Sequence, residues 1–264
     1  MHTVTMPVTM GTTEHSLTRP RPVRRRFYVG LALFMTAIVV AGFWPSYFGP
    51  LFHGNVARPW VIQLHGVIFV GWMALLLAQV VLVSRGRTRL HRKLGTFGIV
   101  YGCLVLVMGL VVSFAAPLLH LAAGEWDMDR AAGFLPVPLG DMMLFGTFFG
   151  SAIVYRRQPE IHKRLILTAT TALLFAAVGR IPFIESLFPA GVSGTSLIKP
   201  LLIFDLVWLS PLLVGMAYDW ITCRRVHPAY VIGTVGLLIG SARILFTQSE
   251  SWLRIGRPLL NALM

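Results

Sequence analysis

The sequence predicts an all-α, polytopic integral membrane protein with seven transmembrane helices, its N-terminus cytoplasmic and its C-terminus outside. Three observations carry this. Seven apolar stretches of 18 to 24 residues recur along the chain, each long enough to cross a hydrocarbon core of roughly 30 Å as a helix. The connections between them alternate strongly in positive charge. Charged residues make up only 12% of the chain and hydrophobic residues 56%, against about 25% charged in a soluble domain. Only helices and closed barrels satisfy every backbone group in lipid, and these stretches show no period-2 alternation.

Residues 1–26 are polar and rich in Thr, Pro and Arg, the composition of a disordered basic tail. The first stretch, Phe27–Ser46, exceeds a signal h-region and closes on Gly42-Phe43-Trp44-Pro45-Ser46 with no A-x-A site, so it reads as an uncleaved anchor. Trp60–Val83 and Thr96–Leu118 follow. A loop over about Leu119–Val137, the longest, carries Trp126 among Glu125, Asp127 and Asp129. Pro138–Tyr155, Leu165–Ile184, Pro200–Trp220 and Ala229–Gln248 complete a transmembrane domain over residues 27–248. Residues 249–264 form a short tail, amphipathic in composition and expected at the membrane interface.

Five basic residues precede the first stretch, five follow the second, four the fourth and two the sixth, sixteen of the 23 Lys and Arg. Positive charge stays in the cytoplasm, which sets the orientation. The net charge of +13 is therefore a topology signal and an attraction to anionic lipid at the cytoplasmic face, not the footprint of a nucleic-acid partner. Cys103 falls inside the third stretch and Cys223 in an inner loop, which argues against a disulfide.

Ionisable groups inside spans are costly and are functional candidates by default. His65, Asp141, Arg180, Asp205 and Arg243 all fall in the outer third. They form either a helix-joining layer or an outward-open pocket, with Asp205 and Arg180 as the expected pair. In the second stretch His65, Trp72 and Gln79 recur every seven residues on one helical stripe, which must face protein because Gln79 needs partners. The stripe joins helices or lines a site for a cofactor or a quinone.

His91 opens the third span and His162 the fifth. They sit in related basic runs, His91-Arg92-Lys93-Leu94 and His162-Lys163-Arg164-Leu165, 71 residues apart. A duplicated helical hairpin would place them at equal depth on the cytoplasmic side. Two histidines at span ends are how a b-type haem is held, with flanking cations such as Arg92 and Arg164 toward the propionates. The alternative is that both runs are anchors on lipid phosphate. The glycines of the third, fourth and seventh spans, including Gly146-x-x-x-Gly150, are read as allowing close helix packing. No zinc motif, Walker loop or dinucleotide fingerprint is present.

The ordered set His65, Gln79, His91-Arg92-x-Leu94-Gly95, His162-Lys163-Arg164 and Arg180, over about Trp60–Pro182, resembles bacterial multi-span membrane protein families of unknown function. Some relatives of that group are associated with respiratory-oxidase assembly. The histidine placement is also similar to cytochrome b561, although this chain lacks two histidine pairs on four successive helices. The resemblance implies a bacterial inner (plasma) membrane location and redox-linked work: one haem b on His91 and His162, or service to a respiratory-chain protein or a quinone. A small-solute or proton-coupled transporter using the outer layer, and a scaffold with purely structural polar residues, are the competing classes.

Overall fold

The computed structural model describes residues 22–54, 58–188 and 194–264. The expected disordered tail lies outside the described residues as far as residue 21. Eleven α-helices follow in order among the described residues: α1 (Pro22–Phe43), α2 (Gly49–Phe52), α3 (Trp60–Ser84), α4 (Thr88–Ala122), α5 (Met128–Phe134), α6 (Pro136–Val154), α7 (Pro159–Val178), α8 (Pro182–Glu185), α9 (Ile198–Cys223), α10 (Pro228–Ser241) and α11 (Glu250–Asn261). A π-turn, Trp44–Phe48, joins α1 to α2, and 3₁₀ turns precede α9 and follow α10. No strand occurs among the described residues. Seven helical segments are long and apolar enough to cross a membrane.

Local chemistry sets the boundaries. Pro136, Pro159, Pro182 and Pro228 each open a helix, where the missing N–H has no intrahelical partner to lose. Asp127 caps α5 by accepting from Arg130 N, and Ser249 caps α11 by accepting from Trp252 N, which satisfies otherwise orphaned donors. Gly86 takes φ +74° in the three-residue reversal between α3 and α4, a conformation costly for other residues.

Two boundaries differ from expectation. The long loop over residues 119–137 contains α5, whose seven residues are too few to stand out by periodicity. The fifth span ends at Val178, so Arg180 lies in a turn beyond it. α4 is also longer than its apolar stretch; its 35 residues extend about 52 Å.

α7 is the hub. About 67% of its most apolar window is buried, against 22 to 33% in the other six spans, and it packs on α1, α6, α9 and α10. Its small residues allow this: Thr168, Ala169, Thr170, Thr171 and Ala172 are all fully buried. The threonine hydroxyls donate to carbonyls four residues back, so burial leaves them satisfied. Two tryptophans dock from either side, Trp72 of α3 donating to Thr170 Oγ1 (3.3 Å) and Trp208 of α9 to Thr171 O (2.6 Å). α1 crosses so closely that a Cβ at Gly42 would sit 2.0 Å from Ala177 O. Glycines of the third and seventh spans meet neighbours closely, as at Gly109 and Gly233, but Gly150 meets nothing within 4 Å, so the G-x-x-x-G pair is not a packing motif.

A smaller core lies where α5 meets α11. Leu253 and Leu260 bury against Ala131, Ala132 and Leu135, Trp252 donates to Ala132 O (2.8 Å), and Arg257 bridges to Asp129. The tail is thus an ordered helix folded onto the bundle.

Candidate functional site

The loops following α3, α6 and α9 share one end of the bundle, here the basic end. There α3, α4, α6 and α7 surround a cavity of about 420 Å³, within the roughly 300–1,000 Å³ range of small-molecule sites. Its walls are mainly apolar, with Trp72 and Phe149 among them. Its polar side chains are Gln79, His91, His162, Tyr28, Glu160 and Lys163. Both inner histidines therefore face one space.

Each histidine is positioned by its hairpin. The tight turn at Gly86 brings the first turn of α4 beside the end of α3, where Gln79 meets it. Gly95 N–H can only donate and His91 O can only accept, which fixes the amide of Gln79. Its Oε1 accepts from Gly95 N (3.0 Å), and its Nε2 donates to His91 O (3.2 Å) and to His91 Nδ1 (2.6 Å). His91 Nδ1 is thus an acceptor, and in the neutral ring the proton sits on Nε2. In the second hairpin, Pro159 starts α7 and His162 Nδ1 lies 2.8 Å from Ala152 O. A carbonyl only accepts, so His162 carries its proton on Nδ1 and keeps a lone pair on Nε2. The two histidines, 71 residues apart, end up as opposite tautomers.

The other expected cofactor residues lie elsewhere. Arg92 is exposed and Arg164 is 2% exposed. Arg164 Nη2 donates to both oxygens of Asp219 (2.8 and 2.7 Å), Nε donates to Asp219 Oδ2 (3.1 Å), and Nη1 donates to Glu160. The guanidinium also stacks on Tyr230, 5.2 Å from the ring centroid. Its charge is spent in the bundle core and is not on the cavity wall. Asp219 was missed by sequence reasoning; the signal was an acid in the last turn of a span beside a basic loop. Tyr28 was missed as well; its side chain lines the cavity, its ring lies 4.7 Å beneath Lys163 Nζ, and its buried hydroxyl faces that of Tyr230. Next to this network His227 accepts at Nδ1 from Ala229 N (3.1 Å) and caps α10. Burial, and then the nearby Arg164 charge, hold its imidazole below the ordinary histidine range.

His65 and the remaining polar residues lie toward the opposite end. The expected Asp205–Arg180 pair does not form. Arg243 bridges to Asp141 instead, donates to Gly240 O (2.7 Å) and stacks on Phe175 at 4.3 Å. Asp205 accepts from Ser241 (3.1 Å). Arg180, past the end of α7, donates to Ala176 O (2.7 Å) and covers Phe43. The reason is positional: Asp205 faces α10, whereas Arg180 turns toward α1. His65 packs on Phe69 at 4.1 Å, and its Nδ1 is buried without a partner. By hydrogen bonds, Asp141 with Arg243 and Asp205 with Ser241 join different elements, whereas Arg180 bonds within its own helix end.

Comparison of the chain with protein-family models, with curated proteins and with solved structures finds no match.

Proposed function

We propose that this chain is a redox-linked membrane protein that holds an apolar molecule with a polar head in the cavity between His91 and His162. The observation that supports this is the meeting of two histidines, from two related hairpins, on one largely apolar cavity. An apolar space of this size beside a few fixed polar groups is the usual form of a small-molecule site. The excess of basic residues at this end supports a cytoplasmic placement in a bacterial inner membrane, with anionic lipid around it.

A b-type haem on both imidazoles needs a lone pair on each Nε2. His162 offers one; His91, whose Nδ1 accepts a hydrogen bond from Gln79, carries its proton on Nε2 and does not. The flanking Arg164 is held by Asp219 rather than free for a propionate. The geometry therefore favours a lipid-soluble carrier over bis-imidazole haem. The opposite-end layer, with Asp141 closed on Arg243, supports a structural role there rather than a transport path.

Solvent extraction and mass spectrometry of the detergent-purified chain test this, together with its visible spectrum oxidised and reduced. A lipophile is expected with the wild type and absent from Gly98→Leu, which fills the cavity wall. A chain that carries no lipophile, shows no Soret band and binds neither quinones nor haem would overturn the reading.

A further inference from the structure

We infer that the cavity is built for the hydroxyl head of a lipid-soluble quinol, gripped by His91 as donor and His162 as acceptor. This rests on reading the cavity as a ligand site. The inference is carried by the chain of hydrogen bonds behind the two rings. Gly95 N–H and His91 O fix the Gln79 amide, the amide donates to His91 Nδ1, and Ala152 O accepts from His162 Nδ1–H. With Nδ1 of each ring committed, Nε2 is the polar atom each has left for the cavity. One is an N–H donor and the other is a bare lone pair.

A hydroxyl is the simple group that answers both, because one oxygen accepts and donates together. A quinone carbonyl only accepts. It would satisfy His91 and leave the His162 lone pair facing another lone pair, and a site built to bond a hydroxyl discriminates against an analogue that lacks it. The surroundings suit a planar ring with an apolar chain. Gly95 and Gly98, one turn apart on α4, present a wall without side chains, and Trp72 and Phe149 line the same cavity.

The test is equilibrium binding to the full chain in lipid nanodiscs, read by tryptophan fluorescence. The probes are a short-chain benzoquinol under argon and its benzoquinone in air. The quinol is expected to bind about tenfold or more tighter, the scale set by one unsatisfied buried acceptor. Gln79→Glu, whose carboxylate accepts from His91 Nδ1 and so turns Nε2 into a second lone pair, should lower quinol binding, while the quinone, left with no donor, binds no better than to the wild type. His162→Phe, which buries no charge, should lower quinol binding to the quinone level and guards against misfolding of the first variant. Equal affinity for quinol and quinone in the wild type would overturn the inference while leaving the cavity as a ligand site. A reduced α-band lost in His91→Ala/His162→Ala would overturn it in favour of haem. A chain that binds none of these and yields no lipophile would overturn the inference and the reading beneath it together.

Discussion

Arg164 of α7 clasps both carboxylate oxygens of Asp219 of α9 at 2.7 and 2.8 Å, with each side chain only 2% exposed. The pair ties the central helix to α9 at the basic end. Removing one partner from a buried pair strands a charge and costs roughly 3–5 kcal/mol, whereas replacing both with apolar groups is often near neutral. Asp219→Ala should therefore lower the unfolding midpoint in detergent sharply, and Arg164→Met/Asp219→Leu should recover most of the loss. A double variant no better than the single would remove the pair as the cause.

Asp141 and Arg243 form the corresponding lock at the opposite end, on α6 and in the 3₁₀ turn after α10. Arg243→Met should destabilise by about 3 kcal/mol, since Asp141 is then left buried and charged, and Asp141→Asn in that background should restore part of it. Ligand binding at the basic end should stay as in the wild type. A loss of binding in correctly folded protein would show that the two ends are coupled.

Gly86→Ala tests the turn that sets the Gln79–His91 contact. A non-glycine residue at φ +74° costs on the order of 1 kcal/mol. The expected result is a small fall in stability with a larger fall in ligand affinity, measured on one preparation. Unchanged affinity would mean that the register of the hairpin does not depend on this residue.

His227 gives a pH signature. Its folded-state proton affinity is depressed, so the unfolded chain binds the proton more readily. Stability from this group is fully present above the ordinary histidine value of about 6.5 and is lost as pH falls through the range below it. His227→Asn, which keeps a capping acceptor, should flatten the acid side of the curve of melting midpoint against pH. A curve that keeps its slope would assign it to another group.

Much of the architecture was legible because lipid is a demanding solvent. Seven apolar runs and alternating arginines follow directly from burying backbone and retaining positive charge. Polar contacts were harder. Gln79 stood out as an amide that needs partners, and His91 and His162 as histidines at equal depth on two span ends; all three line one cavity. Their opposite tautomers could not be read, because these depend on where Gly95 N–H and Ala152 O come to rest. Arg164 looked like a free cation next to a histidine, since its partner lies 55 residues away on another helix. α5 was hidden in a loop by its shortness.

The composition of α7 has a further consequence, for how the chain enters the membrane. Its alanines and threonines let four neighbours approach, and the same residues make it the least apolar of the seven spans, with a mean hydropathy of 1.4. Insertion of a single helix is driven by its own transfer from water to lipid, and α7 carries the smallest such drive together with a lysine and an arginine in its first turns. α6 precedes it by a four-residue connection, is short and packs along it. Partition into lipid is therefore expected to occur as a hairpin, with α6 sheltering α7 during synthesis. The residues that make the finished bundle compact also make its central helix dependent on its neighbour at birth.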